Sequence, residues 1–171
     1  METLTAYIRD IPDFPKPGIL FKDITPLLLD PNARRTAMQA LVAPFRGAGV
    51  SVVLGIEARG FIFGALVAAE LGAGFVPLRK PGKLPGATHR VEYDLEYGSA
   101  ALEMQRDALR PGDRALLIDD VLATGGTAAA GLVLTGQPGV VVVGFACLLE
   151  LDFLHGRAAL GECRVHSLLH Y

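Results

Sequence analysis

The run Ala115-Leu116-Leu117-Ile118-Asp119-Asp120-Val121-Leu122-Ala123-Thr124-Gly125-Gly126-Thr127 gathers the residue types that could act on a phosphorylated sugar. Its apolar head predicts a buried strand that delivers Asp119 and Asp120 at its carboxyl end. Thr124 to Thr127 carry no bulky side chain, so backbone N–H groups there can close on a phosphate, with the Thr124 and Thr127 hydroxyls as further donors. A helix expected over Thr127 to Leu134 would aim its positive end at that anion, worth ~0.3–1 kcal/mol. No Gly-Lys-Ser/Thr follows the turn and no Gly-x-Gly-x-x-Gly occurs, so neither a Walker loop nor a dinucleotide fingerprint is present. Two adjacent carboxylates would repel a bare phosphate. They suit the hydroxyls of a sugar that carries it, gripped directly or through Mg²⁺. A 5-phosphoribosyl group supplies such hydroxyls. The plainer alternative is a capped strand-to-helix turn with solvated acids.

Gly55-Ile56-Glu57-Ala58-Arg59-Gly60 is a second candidate anion loop, although a surface arginine capping a turn would read the same way. Residues 79 to 90 hold Arg79, Lys80, Lys83 and Arg90 with no acid, and Glu92, Asp94 and Glu96 follow. That pattern fits a basic wall beside a polyanion, or an ordinary solvated hairpin.

The surrounding elements must bring these segments together. Pro12, Pro15, Pro17 and Pro26 predict a stiff, irregular N-terminal arm. Asp30 reads as an N-cap with Pro31 at the first helical position. Met38, Leu41, Val42 and Phe45 then share one helical face. Ser51 to Leu54, Phe75 to Leu78, Arg114 to Ile118 and Val140 to Leu149 read as strands, and Ser99 to Gln105 as the returning strand of a hairpin. Phe61 to Leu71 reads as a helix with Ile62, Ala65, Leu66 and Ala69 on its apolar face. Continuous apolar strands alternating with helices predict a parallel sheet covered on both faces. The loops after Leu54, Leu78 and Ile118 should then lie side by side at the carboxyl ends of their strands.

Composition sets the limits. A chain of 171 residues with 51% hydrophobic residues suits a single domain with its own core. Lys+Arg 16 against Asp+Glu 18 leaves a net charge of -2, so no global basic field exists for nucleic acid or an anionic membrane. Cys147 and Cys163 are too few for a disulfide framework or a zinc site. The longest apolar stretch, Val140 to Leu149, falls far short of the ~20 residues that span a bilayer. With no secretory signal at the N-terminus, the expectation is a soluble cytoplasmic protein. Gly 20 exceeds the usual share, and Gly131 and Gly144 lack an evident turn role.

The strand–Asp-Asp–x-x-Ala-Thr-Gly-Gly-Thr–helix run is similar to the signature of the type I phosphoribosyltransferases. Further stretches resemble the branch of that family that acts on adenine. They are Ile11 to Thr25 (IPDFPKPGILFKDIT), Glu57 to Gly64 (EARGFIFG), Arg79 to Gly86 (RKPGKLPG) and Tyr93 to Gly98 (YDLEYG). The resemblance implies an α/β fold: a central, mostly parallel sheet flanked by helices, with an N-terminal hood and a β-hairpin lid. It implies one domain over residues 1–171, with the hood at 1–30 and a flexible lid at 79–105. Asp119, Asp120, Ala123, Thr124, Gly125, Gly126 and Thr127 would hold the phosphoribosyl group, and Arg59, Arg79, Lys80 and Lys83 the diphosphate. The Arg59 loop would carry a cis non-proline peptide. Leu20, Phe21, Lys22 and Leu122 would hold adenine, with Phe21 stacking and Leu20 and Lys22 offering backbone groups; Lys22 stands where many relatives have arginine. Glu96 and Tyr97 would reach the reacting centre from the lid, and Glu96 would join Asp119 and Asp120 as a catalytic carboxylate. Mg²⁺ would bind through the substrate, with Asp119 and Asp120 as the candidate protein ligands.

The implied reaction is adenine plus 5-phospho-α-D-ribose 1-diphosphate giving AMP and diphosphate, in a homodimer. Two alternatives stay open: transfer to another purine base such as hypoxanthine or xanthine, and a non-catalytic regulator that senses phosphoribosyl diphosphate. The second would need a nucleic-acid-binding module, for which the chain has no spare residues.

Overall fold

The computed structural model describes residues 4–94 and 99–171. The chain divides into two compact units, Met1–Ala40 and Leu41–Tyr171.

The proline-rich arm of the first unit is more ordered than its composition predicts. Strand β1 (Arg9–Ile11) pairs antiparallel with β2 (Phe21–Asp23). The register sets opposite charges face to face: Arg9 lies 2.6 Å from Asp23, and Lys22 lies 2.7 Å from Asp10. Such cross-strand pairs offset what so short a ladder lacks. The connection carries a cis Phe14–Pro15 peptide, and Asp13 accepts the Gly18 N–H at 2.7 Å. Asp23 then accepts the Thr25 N–H (2.9 Å) and hydroxyl (2.6 Å) where the short helix α1 (Thr25–Leu29) begins. Asp30 accepts the Asn32 and Ala33 N–H groups at 2.9 and 2.8 Å, capping α2 (Pro31–Val42) with proline at its first position.

The second unit is built on β3 (Val52–Ile56), α3 (Gly60–Leu71), β4 (Gly74–Leu78), β5 (Thr88–Asp94), β6 (Ser99–Gln105), β7 (Arg114–Leu122), α4 (Gly126–Thr135), β8 (Val141–Glu150) and β9 (Val165–His170). Five strands form one sheet in the order β4-β3-β7-β8-β9, with every pairing parallel and helices flanking it. Every residue of β3 is buried, as is the Ala115–Ile118 stretch of β7, which is why these strands read as unbroken apolar runs. Leu54, Ile56, Leu78, Leu117, Phe145 and Cys147 lie in the core.

Three differences from the sequence-based expectations have physical causes. Strand β3 continues through Gly55 and Ile56, which pair with Pro77 and Leu78, so the turn begins only at Glu57. Helix α3 buries Gly60, Phe63, Gly64, Val67 and Ala68, whereas Ile62 is 40% exposed. The period was right and the face was not, because this helix is apolar all round. Its contact line is chosen by Gly64: a Cβ there would stand 2.8 Å from the Phe75 ring and 3.3 Å from Gly55 Cα. Gly131 in α4 does the same, with Leu117 Cδ2 2.9 Å from its would-be Cβ, so it lets the helix approach the sheet. Strand β9 had no sequence signal. Its residues Val165 to Leu169 are all only partly buried, as befits an edge, and two histidines and a serine break the apolar run.

The hairpin β5–β6 pairs Thr88 with Gln105 through to Asp94 with Ser99. Its returning strand is anchored: Ala101, Leu102, Glu103 and Met104 are buried, and Leu102 and Met104 join the core. At the far end of the sheet, Glu150 accepts two hydrogen bonds from Arg157 (2.6 and 2.7 Å) and one from the Ser167 hydroxyl. Among the described residues, no helix is long and apolar enough to cross a membrane.

Candidate active site

Strands β4, β3 and β7 are neighbours, so the loops after them meet at one end of the sheet, as the strand order required. They enclose a cleft of about 520 Å³. Glu57, Ala58 and Arg59 line it from the loop after β3, and Lys80 from the segment after β4. Asp119, Asp120, Val121, Ala123 and Thr127 line it from β7 and beyond, and Tyr93, Ala100 and Leu102 from the hairpin.

Asp119 and Asp120 sit within β7, which runs on to Leu122. Strand alternation sends them to opposite sides. Asp119 is partly exposed and opens onto the cleft; its Oδ1 accepts the Asp120 N–H at 2.8 Å. Burial first, and the neighbouring Asp120 charge second, raise its proton affinity well above the ordinary carboxylate range. Asp120 is 5% exposed and accepts a 2.5 Å hydrogen bond from Arg59 Nε. That ion pair neutralises a carboxylate that would otherwise be buried alone. The same alternation buries Leu122 in the core at 1% exposure, at the wall of a smaller adjoining hollow, while Val121 lines the larger cleft.

The Ala123–Thr127 loop closes a smaller hollow of about 70 Å³, also lined by Asp119, Val121, Leu122 and Ala128. Gly125 caps α4 with φ +86, a conformation that glycine adopts without penalty. A Cβ there would collide with the Gly156 carbonyl oxygen, and one on Gly156 would collide with the Ala123 carbonyl oxygen. The turn at Gly156 is thus the backing against which the loop is pressed. Thr127 Oγ1 donates to Tyr93 Oη at 3.2 Å, joining the loop to the hairpin.

The loop after β3 carries a cis Glu57–Ala58 peptide, as the resemblance implied. Neither Arg79 nor Lys83 lines the cleft; Arg79 bonds Glu57, which does, and the Lys83 carbonyl oxygen. Glu96 and Tyr97 lie outside the described residues. In the first unit, Phe21 packs edge-on against Phe14 with ring centroids 5.1 Å apart, Leu20 is 50% exposed, and Lys22 bonds Asp10. Sequence reasoning passed over Glu57, Tyr93, Val121, Ala100 and Gly156. Their types are unremarkable, and only tertiary pairing brings them to the cleft; Glu57, one turn before Arg59, offered the one local hint.

The comparisons with known proteins agree with this geometry. Residues 32–159 match the phosphoribosyl transferase domain family. An adenine phosphoribosyltransferase of Methylococcus capsulatus is 63% identical over the full length of both chains, and one of Nitrosococcus oceani is 60% identical over the same span. The chain belongs to the adenine phosphoribosyltransferase family. The crystal structure of the Rhodothermus marinus family member superposes with a TM-score of 0.94 at 51% identity, covering 98% of this chain and 96% of that one. The Saccharomyces cerevisiae enzyme, solved with an imino-altritol bisphosphate and adenine, gives 0.91 at 39% identity, covering 97% and 96%. The fold is therefore that of the type I phosphoribosyltransferases, and phosphoribosyl transfer is the chemistry for which the cleft must account.

Proposed function

We propose that this cleft transfers the phosphoribosyl group of 5-phospho-α-D-ribose 1-diphosphate to adenine, giving AMP and diphosphate in a purine-salvage reaction. The observation that carries the reading is the convergence on one cleft of Arg59, Lys80, two carboxylates and a glycine-rich loop at a helix N-terminus. The adenine specificity of the full-length relatives points to the base.

In this reading the 5-phosphate lies on the Ala123–Thr127 loop, where N–H groups and threonine hydroxyls need no charged side chain. Asp119 and Asp120 hold the ribose hydroxyls. Arg59 and Lys80, with Arg79 and Lys83 alongside, take the diphosphate. Phe21 stacks on adenine while Leu20 and Lys22 present backbone groups to its edge; a base of the wrong donor–acceptor pattern would leave those groups unpaired. A purine ring nitrogen attacks the anomeric carbon as its bond to the diphosphate oxygen breaks, with inversion and an oxocarbenium-like transition state. Glu96 accepts from the purine N–H, and Tyr97 closes with it over the reacting centre, excluding water that would hydrolyse the donor. No covalent nucleophile is required; the residues position and neutralise. Asp119 and Asp120 offer hard carboxylate oxygens at the cleft, a donor set that fits Mg²⁺ held directly or through the sugar hydroxyls. When bound, the ion screens diphosphate charge. A single domain over residues 1–171, a homodimer and a cytoplasmic location belong to the same reading.

The test is to incubate the protein with Mg²⁺, phosphoribosyl diphosphate and each purine base in turn, and to separate the products by chromatography. AMP from adenine is expected. A nucleotide from hypoxanthine or xanthine alone would move the specificity. No product from any base would leave a sensor of phosphoribosyl diphosphate as the better reading.

A further inference from the structure

Glu57 has a geometry that the reaction does not explain. Its Oε2 accepts the Lys80 N–H at 2.9 Å and Arg79 Nε at 3.3 Å, and its Oε1 accepts Arg79 Nη2 at 3.1 Å. Arg79 Nη1 reaches on to the Lys83 carbonyl oxygen at 3.1 Å. The Arg79 backbone pairs with Glu103 in both directions (3.0 and 2.7 Å), and Glu103 Oε2 accepts the Gly82 N–H at 3.1 Å. Residues 79–83 are thus fastened on one side to β6 and on the other to a single carboxylate in the loop after β3. The Glu57 side chain is only 15% exposed, against 32% for Arg79. A two-pronged guanidinium–carboxylate contact fixes direction as well as distance.

We infer that Glu57 is a positioning residue for the diphosphate site, holding Arg79 and the Lys80 backbone so that the Lys80 side chain faces the cleft beside Arg59. The inference rests on the diphosphate reading above. Glu57 and Arg59 share one short loop, so the contact ties the two cationic walls of the cleft, otherwise borne on separate loops, into one unit. The Arg79 guanidinium, and next the Lys80 N–H, hold the Glu57 carboxyl below the usual range, so the fastening is fully ionised near neutral pH. The opposite role would be a mask that keeps Arg79 away from the diphosphate. The two roles differ in sign.

The experiment is steady-state kinetics on the full chain for wild type, E57Q, R79A and E57Q/R79A, varying phosphoribosyl diphosphate and adenine separately. E57Q keeps the size of the side chain but removes its charge and sets an amide against two donors. Each single variant should raise KM for phosphoribosyl diphosphate about tenfold to hundredfold, the usual range for a lost hydrogen bond to a charged group. KM for adenine should stay within about twofold, and the double variant should be no worse than the worse single one, because both remove one contact. A KM for phosphoribosyl diphosphate that is unchanged or lower in E57Q would overturn the assignment, as would equal rises for both substrates. Should E57Q not fold, R79K reads the same contact from the other side: it keeps the charge and loses the two-pronged grip, so an unchanged KM would refute the fastening. Wild-type protein that makes no nucleotide sinks the functional reading; wild-type turnover without the E57Q split sinks only Glu57.

Discussion

At the scale of single residues, the cleft spends stability on charge. Asp119 opens onto the cleft with its proton affinity raised, and beside it Asp120 is buried in a 2.5 Å contact with Arg59. A carboxylate in that position is costly for folding and is expected only where chemistry needs it. Replacing Asp119 by asparagine keeps the shape and removes the partly desolvated charge. The thermal midpoint of Asp119→Asn should therefore match or exceed that of wild type, while kcat falls by about a hundredfold or more, as when one pre-organised polar group is lost from a transition state. Melting curves and initial rates on the same preparation check both halves. A clear loss of stability with activity retained would make Asp119 structural.

At the scale of elements, the Ala123–Thr127 loop is held by close backbone approach as well as by the Thr127–Tyr93 hydrogen bond. Gly125 and Gly156 approach so closely that neither position has room for a methyl group. Gly156→Ala should push the Ala123 carbonyl outward and disturb the loop. Expected are a destabilisation of about 1–3 kcal/mol, typical of overpacking, and a rise in KM for phosphoribosyl diphosphate larger than that for adenine. Denaturant unfolding and kinetics with each substrate varied would measure them; a neutral outcome in both would show that the two turns can separate. The 115–127 run alone announced the loop, yet its backing was illegible, because Gly156 lies about thirty residues further on in a segment with no motif. Helix α3 teaches the same lesson: its period was plain, but its inner face was decided by the contact of Gly64 with the Phe75 ring.

At the scale of the molecule, stability on the acid side sums over its carboxylates. The Thr25 hydroxyl, then the Thr25 N–H and Arg9, lower the Asp23 carboxyl to about 2. Glu57 is also lowered, and so is Glu150, where bonds from Arg157 and Ser167 overcome the opposing effect of burial. A group whose folded pKa is depressed adds stability above its unfolded pKa and loses it as pH falls towards the folded one. Asp119 acts in the opposite sense, since a raised pKa makes protonation favour the fold. Below its ordinary value Asp119 is protonated in both states and drops out, so the three lowered groups decide and the chain should lose stability below about pH 4. Asp23→Asn should flatten the curve between the ordinary value of 3.8 and about 2. Unfolding free energies in urea across that window would show it, and superimposable slopes for the two proteins would refute it.

By itself the sequence determined the parallel α/β class, the strand that carries Asp119 and Asp120, the glycine-rich turn after it, the Arg59 loop and the basic character of residues 79 to 90. Each is written in a contiguous stretch, as periodicity or as glycine and charge at short spacing. Tertiary structure decided which helix face is inner, that β9 completes the sheet, that Val121 rather than Leu122 lines the cleft, and that Glu57 fastens Arg79 and Lys80. Those choices depend on atoms far apart in the chain that meet only once strand order and register are set, and local pattern carries no record of them.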